Sequence, residues 1–314
     1  MTLVTAAGGV VRAIRSPNRL LFALTLVALL WMSPATAATS GAAVRCGEST
    51  PPPARYDHVV WIVMENHMRA SVIGSRDAPF ETYVAASCGS ADDYRMVGSP
   101  SLPNYIGMTT GGTQDVRDDA SPARHVLTVD NIFRQVRATG RKAITYAEAM
   151  PSPCTLVGSG RYAVKHNPAA YFQGGDDRVA CRRDNVPAGT LASGAFVSAL
   201  RTKTLPSFAI VIPDLCNDTH DCSVATGDQW LSEWVPAITR SSSYAEGRTA
   251  VFIAWDEMTP MPFIAIAPTV VHGVVTHTAL DHYALLRTTE ELLGIPTHLG
   301  RAATAPSMRS LFRI

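Results

Sequence analysis

The residue with the clearest potential for nucleophilic chemistry is Ser101, which lies between Pro100 and Pro103. Each proline fixes its own φ and holds the preceding residue extended, so the sequence predicts a stiff turn with Ser101 at its apex, followed by a helix. Unpaired N–H groups and the dipole at a helix N-terminus favour an anionic oxygen or a phosphate. This stretch alone is compatible with either a reactive serine or an ordinary solvent-facing loop serine.

Carboxylates follow two β-prone apolar runs, residues 58–64 and 249–255. The first run ends in Glu65-Asn66 and the second in Asp256-Glu257. Continuous apolar runs of this kind are typical of strands buried on both faces of a parallel sheet. Adjacent acids repel each other unless a cation or a basic group lies between them. A metal or phosphate site is one interpretation of Glu65-Asn66, and a helix cap after a strand is the other.

A third polar cluster follows the predicted strand 207–212. Residues 213–222 contain three carboxylates, an amide and an imidazole, with Asp218 and His220 among them. Ligands of open α/β sheets bind beyond the carboxyl ends of the strands. We therefore expect the polar groups near Glu65, Ser101, Asp218 and Asp256 to form one site.

Repeated alternation of strands and helices predicts an α/β fold, a three-layer sandwich with a mainly parallel central sheet. Further helices are predicted over residues 128–139, 191–202, 227–238 and 281–293, and further strands over 141–146 and 263–267. His282 lies at the start of the last helix. His166 lies beside Lys165 in a long loop, which by itself is weak support for a site. No internal repeat or second catalytic domain is evident.

The N-terminus has the pattern of a secretory signal peptide. Three arginines precede an apolar run, and a small-residue segment near Ala37 offers a cleavage site. We predict a signal peptide over residues 1–37, a flexible lead-in over 38–55 and a catalytic domain over 56–314. The apolar run is too short for a membrane span, so we expect a secreted protein with no stable span after cleavage.

Charge and cysteine content narrow the class of protein. Without residues 1–37, which carry three arginines and no acid, the net charge is −2. This balance argues against non-specific nucleic-acid binding. All six cysteines follow the cleavage site, and an even number in an exported chain indicates disulfides. We expect the local pairs 46–88, 154–181 and 216–222 among fifteen connectivities, with a zinc cluster as the alternative.

The ordered motifs resemble those of one family, the phosphoesterases that include bacterial secreted acid phosphatases and non-specific phospholipases C. This family is an arm of the alkaline phosphatase superfamily. The resemblance spans roughly residues 56–314 and looks closest to the shorter secreted acid phosphatases, including those acting on phosphatidylinositol 3-phosphate. Its motifs are Met64-Glu65-Asn66-His67, Pro100-Ser101-Leu102-Pro103-Asn104-Tyr105, Lys165-His166-Asn167-Pro168, the segment 213–222, Trp255-Asp256-Glu257 and the segment 282–290.

By this resemblance Ser101 is the nucleophile of a phosphate monoester hydrolase that works through a phosphoserine. The resemblance also implies one divalent cation, with Mg, Ca, Mn, Zn and Fe all open. Its implied ligands are Glu65, Asp256 and Glu257. The phosphate pocket would contain Asn66, His166 and Asp218, and Asp218 would orient His220 or join the cation's ligands. The implied proton donors to the leaving group are His220 and His282.

Two departures from the family pattern affect the expected activity. Ser99 stands where the family usually has histidine, two residues before the nucleophile, and the loop after Glu257 is short. The first removes a phosphate contact and the second shortens a rim of the site. The expected substrate is a phosphate ester, with phosphoinositides and phospholipids as candidate classes. The alternatives are a phospholipase C-type diesterase and a secreted binding protein with a decayed active site.

Overall fold

The computed structural model describes residues 44–47 and 51–314, within the unit Gly41–Ile314. The predicted signal peptide lies outside the described residues. Part of the predicted lead-in is described. There, Cys46 is bonded to Cys88, and the carbonyls of Pro53 and Ala54 accept hydrogen bonds from Arg309. These contacts hold the described part of the lead-in against the catalytic domain.

A mainly parallel sheet organises the described residues, with strand order β4-β3-β5-β1-β6-β7-β2-β8 and with β9 paired to β2. The strands from β4 to β6 run parallel, whereas β7 is antiparallel to both of its neighbours. The strands are β1 His58–Met64, β2 Gly89–Arg95, β3 Ala143–Ala147, β4 Asn185–Pro187, β5 Phe208–Ile212, β6 Thr249–Trp255, β7 Met261–Ile266, β8 Val274–Thr276 and β9 Leu280–Asp281.

Helices pack in two groups, one containing α2, α6, α7 and α8 and the other containing α3, α4 and α9. The central strands β1, β5 and β6 are buried along almost their whole length, as expected for a sheet covered on both faces. The helices are α1 Arg69–Val72, α2 Pro79–Ser87, α3 Ser101–Thr110, α4 Ile132–Ala138, α5 Asp177–Asp184, α6 Ala195–Arg201, α7 Val224–Thr239, α8 Ser242–Ala245, α9 His282–Leu292 and α10 Arg309–Phe312, with 3₁₀ turns at Val164–His166, Pro168–Ala170 and Gly300–Ala303.

The predicted strands 58–64 and 249–255 are confirmed to the residue as β1 and β6. Helix boundaries differ more. The predicted helix 128–139 begins at Ile132, because the Asn131 side chain caps it by accepting from the Arg134 N–H. The helix predicted over 191–202 begins at Ala195, after Gly194 at a φ of 141°, a conformation that favours glycine.

Three disulfides join the pairs predicted from the sequence, Cys46–Cys88, Cys154–Cys181 and Cys216–Cys222. All six cysteines are used, so the alternative of a zinc cluster is wrong. None of the helices among the described residues is long and apolar enough to cross a membrane.

Candidate active site

Two buried carboxylates leave the sheet side by side. Met64 and Trp255 are partners in the parallel register of β1 and β6, and the next residues are Glu65 and Asp256. The Asp256 N–H continues the ladder by donating to the Met64 carbonyl at 3.0 Å. Because the two strands end in step, both acids lie at the same edge of the sheet.

The loop after β5 reaches this edge from the other side of β1. Glu65 N–H donates to the Asp218 carbonyl at 2.8 Å, and the Thr219 hydroxyl donates to the Glu65 carbonyl at 2.8 Å. The side chains of Glu65, Asp218 and Asp256 are all fully buried. The three strand ends that the sequence predicted to converge therefore do so.

Ser101 is the first residue of α3 and is buried beside Glu65. Its hydroxyl donates to Glu65 Oε2 at 3.0 Å, and the Tyr105 hydroxyl donates to Glu65 Oε1 at 2.6 Å. Residues four apart lie on one face of a helix, so one turn of α3 delivers both hydroxyls to one carboxylate. Glu65 is thereby fixed at both oxygens.

The N-terminus of α3 is capped by a carboxylate. Leu102 N–H donates to Asp119 Oδ1 at 2.9 Å. The expectation that this helix end offers unpaired N–H groups to an anionic ligand is therefore wrong at Leu102. Asp119 brings a negative charge to the position where a phosphate oxygen was expected.

Burial of the acids changes their protonation. Burial raises the pKa of Glu65 well above its usual range, and the nearby carboxylates of Asp256 and Asp218 raise it further. Burial likewise raises the pKa of Asp256 to about 7. The hydrogen bond that Asp256 accepts from the Asn66 backbone N–H, at 3.1 Å, opposes this rise. Burial also raises the pKa of Asp218 to about 7. Three acids in one buried cluster cannot all ionise without a compensating positive charge.

His166 is buried against the same cluster. Its Nδ1 lies 3.1 Å from Asp218 Oδ2, and its Nε2 lies 3.2 Å from Glu65 Oε1. Burial, followed by the positive charge of Lys165, lowers the pKa of His166 well below its usual range. In the neutral imidazole the one ring proton lies on Nδ1, which donates to Asp218. Nε2 therefore carries no proton and faces Glu65.

The partly exposed rim of the site consists of Ser99, Asp119, Lys165, His220 and Glu257. His220 lies on this rim. Its Nδ1 lies 2.7 Å from Asp221 Oδ1, and its Nε2 lies 3.2 Å from Lys165 Nζ. These contacts place the ring proton on Nδ1 and let Nε2 accept from the ammonium group.

Glu257 also lies on this rim and not in the buried cluster. Its Oε2 accepts a hydrogen bond from the Ser99 hydroxyl at 3.4 Å. Partial burial raises the pKa of Glu257, and the hydrogen bond from Ser99 and the charge of Lys165 offset only part of this rise. The chain bends after β6 ends at Trp255, and Asp256 is buried in the cluster whereas Glu257 lies at the rim.

His282 is fully buried, and both of its nitrogens are engaged. Nε2 lies 2.7 Å from the Asp256 carbonyl and Nδ1 lies 2.9 Å from the Tyr94 hydroxyl. Burial lowers its pKa to about 4, so the ring is neutral, with Nε2–H donating and Nδ1 accepting. This arrangement favours a positioning role through Asp256 over the predicted role as proton donor.

Asn66 lies between the buried cluster and an open pocket of about 530 Å³ that it lines with His67, Met68 and Met258. Its backbone is in the left-handed region at a φ of 57°. Its side-chain amide makes no hydrogen bond to another described residue, which leaves it available to a ligand. This is compatible with the predicted contact to phosphate.

The residues fit a divalent cation. Within the described residues, two buried polar atoms of this cluster have no hydrogen-bond partner, Asp256 Oδ2 and His166 Nε2. Potential ligand atoms of Glu65, His166 and His220 also lie within 4.8 Å of one another. A cation beside Glu65 would offset the carboxylate repulsion and use the bare imidazole nitrogen.

Sequence reasoning missed Tyr105 and Asp119 as members of the site. Tyr105 could have been found, because it lies one helical turn after Ser101. Asp119 could not, because it depends on the path of the loop that follows α3.

The Phosphoesterase family profile matches residues 74–260, more than half of the chain. A phosphatidylinositol-3-phosphatase of Mycobacterium tuberculosis is 28% identical over 82% of this chain and 83% of its own length. A probable acid phosphatase of Kluyveromyces lactis is 24% identical over 67% of this chain and 52% of its own length.

Solved structures support the same fold. A protein of the alkaline phosphatase superfamily from Vibrio parahaemolyticus aligns with a TM-score of 0.55 at 12% identity, covering 86% of this chain and 74% of its own. A putative sulfatase from Bacteroides thetaiotaomicron aligns with a TM-score of 0.56, also at 12% identity, covering 82% and 75%. At this identity the likeness concerns the fold alone. Together with the profile match, it confirms the fold and the resemblance found in the sequence, and the chain belongs to the phosphoesterase family.

Proposed function

We propose that this chain is an exported, cation-dependent phosphatase that hydrolyses phosphate monoesters with Ser101 as nucleophile. The observation that carries the proposal is the hydrogen bond of 3.0 Å from the Ser101 hydroxyl to Glu65, inside a buried cluster of acids. A serine hydroxyl attacks poorly unless its alkoxide is stabilised and its proton has a place to go. Glu65 offers a place for the proton, and a cation held by the cluster would stabilise the alkoxide.

Glu65 and Asp256 are the proposed carboxylate ligands of the cation, with the Ser101 hydroxyl facing it and His166 Nε2 as a nitrogen donor. Glu257, the third predicted ligand, contacts Ser99 at the rim. We therefore place it at the rim and not among the ligands of the cation. His220 is not included, because Lys165 already occupies its Nε2. When bound, the cation stabilises the charge of the nucleophile and of the phosphoryl oxygens.

The chain's own groups organise the reaction. Glu65 Oε2 orients the Ser101 hydroxyl and accepts its proton as Oγ bonds to phosphorus and the ester oxygen leaves. The departing alkoxide takes up a proton from solvent at the rim, which includes Lys165 and His220. Water then cleaves the phosphoserine and releases a proton to solvent, and Ser101 Oγ recovers its proton from Glu65. Asp218 and His282 act as positioning residues through His166 and Asp256.

The names of the relatives support a class of substrate. The Mycobacterium tuberculosis relative is named for a phosphoinositide, and we propose phosphate monoesters, phosphoinositides among them, as substrates. Three disulfides within the described residues are typical of an oxidising compartment, which supports export.

The experiment is an assay of purified residues 38–314 against p-nitrophenyl phosphate and p-nitrophenyl phosphorylcholine, each with and without a chelator. The proposal expects hydrolysis of the monoester, loss of activity with chelator and recovery when a divalent cation is returned. Preferential cleavage of the diester would instead favour a phospholipase C-type activity. Absence of hydrolysis of both esters with every cation tested would contradict the proposal and favour a binding protein.

A further inference from the structure

The rim of the site carries a charge problem for the proposed substrate. A phosphate monoester is largely a dianion at neutral pH, and phosphoryl transfer requires positive groups around its oxygens. The buried cluster is acidic, and the rim adds Asp119 and Glu257. Ser99 is neutral and donates to Glu257, so it brings no charge to the substrate.

Lys165 brings a full positive charge to this rim. Its Nζ lies 3.1 Å from Asp119 Oδ2 and 3.2 Å from His220 Nε2. Its side chain is 22% exposed, so it is not sealed inside the buried cluster. An ammonium group has three N–H donors, and the described residues engage two of them, which leaves one for a ligand.

The partners of Lys165 hold it beside the nucleophile. Asp119 binds Lys165 through one carboxylate oxygen and the Leu102 N–H through the other, at 2.9 Å, and Leu102 directly follows Ser101. His220 is fixed in turn by Asp221. The ammonium group is therefore anchored to the same helix end that presents the serine.

We propose that Lys165 is a substrate-binding residue whose third N–H donates to a non-bridging phosphate oxygen, so that its charge selects dianionic monoesters over monoanionic diesters. The inference rests on the proposed function. Charge-assisted hydrogen bonds are stronger than neutral ones, so a ligand with the greater negative charge gains more from this contact. Asp119 and His220 then act as the groups that hold the ammonium in place.

The test compares Lys165→Gln with Lys165→Arg and with Lys203→Gln. Lys203 is a matched control, because it is an exposed lysine paired with Glu246 on the surface. We expect Lys165→Gln to lower kcat/KM for p-nitrophenyl phosphate about 100-fold and for bis-p-nitrophenyl phosphate less than about tenfold. Lys165→Arg should recover part of the monoester activity, and Lys203→Gln should match the wild type.

A second measurement does not depend on a folded variant. The chain has three lysines, Lys142, Lys165 and Lys203. An amine-reactive reagent followed by peptide mass spectrometry reports each one separately. Inorganic phosphate should slow labelling of Lys165 and leave labelling of Lys203 unchanged.

Two results would overturn the inference while leaving the proposed function intact. One is a Lys165→Gln variant that loses monoester and diester activity equally, or loses neither, which would indicate a merely structural ion pair. The other is labelling of Lys165 that is indifferent to phosphate. A wild-type protein that hydrolyses neither ester contradicts the proposed function itself.

Discussion

Met64 and Trp255 are register partners on adjacent parallel strands, and the residue after each is a fully buried acid. This relationship places Glu65 and Asp256 together without any contribution from loop conformation. The nucleophile and the imidazole of His166 then reach the pair from a helix and a 3₁₀ turn. The acidic centre of the site is thus built on two neighbouring central strands of the sheet.

Replacement of the nucleophile should remove turnover and spare the fold. Ser101→Ala deletes the attacking oxygen, so we expect kcat for p-nitrophenyl phosphate to fall by roughly 10³-fold or more. The thermal unfolding midpoint should change little. Ser99→Ala is the matched control at the exposed end of the same turn, and its loss of kcat should be far smaller. Near wild-type turnover in Ser101→Ala would show that Ser101 is not the nucleophile.

Asp256→Asn should separate cation binding from folding. The amide oxygen can still accept from the Asn66 N–H, but a ligand charge is lost, so cation affinity and activity should fall, with partial recovery at high cation concentration. Calorimetric titration of the cation measures the first effect and the ester assay the second.

The same variant tests the electrostatics of the cluster. The folded pKa of Asp256 is raised to about 7, so its contribution to stability is present below its unfolded pKa and lost as pH rises through 7. In chelator at pH 8, Asp256→Asn should therefore unfold at a higher temperature than the wild type. If Asp256→Asn unfolded at a lower temperature than the wild type under these conditions, the carboxylates of the cluster would not be repelling each other as described.

The disulfides should divide into one that serves activity and one that serves stability. Cys216–Cys222 closes a separation of 6 residues and Cys46–Cys88 one of 42, so loop entropy predicts about 2 and about 4 kcal/mol of stabilisation. Removing Cys216–Cys222 by double alanine substitution should reduce activity more than unfolding temperature, because its loop presents Asp218 and His220. The Cys46 and Cys88 double variant is the control, and the opposite ranking would refute this division.

A buried acid away from the site should make stability depend on pH. Glu290 is fully buried, accepts from the Leu299 N–H at 2.9 Å and lies 2.8 Å from His298 Nδ1. Burial raises its pKa to about 8. A raised folded pKa contributes stability that is complete below about pH 4.5 and is lost as pH rises through 8.

Glu290→Gln keeps a neutral side chain of the same shape at every pH. We expect the unfolding free energy of the wild type to fall relative to this variant by at least about 1 kcal/mol between pH 5 and pH 9. Urea titrations at both pH values measure this difference. Parallel pH dependence in the two proteins would show that Glu290 is ionised throughout.

The sequence predicted the strand ends of the site better than its rim. Apolar runs bounded by acids define β1 and β6 to the residue, because burial on both faces leaves a continuous pattern. Strand β2 was not predicted, since its sequence includes Asp92 and Asp93 and carries no apolar run. Its position depends on pairing with β7, which is a long-range contact.

The separation of Asp256 from Glu257 was also beyond the sequence. Two adjacent acids predict a pair of ligands for one cation. In the structure, Asp256 is buried with the nucleophile, whereas Glu257 contacts Ser99. The hydrogen bonds of the histidines could not be predicted either. They depend on partners such as Tyr94 and Lys165, which reach His282 and His220 only in the folded chain.

The most direct test of the account is to trap the covalent intermediate. The protein is mixed with p-nitrophenyl phosphate and a divalent cation, quenched in acid within one turnover, digested and analysed by tandem mass spectrometry. The account predicts a phosphoryl group on Ser101 that is absent when chelator is added and absent from Ser101→Ala. Hydrolysis of the ester at full rate with the phosphoryl group on another residue, or with Ser101 unmodified in every quench, would contradict it.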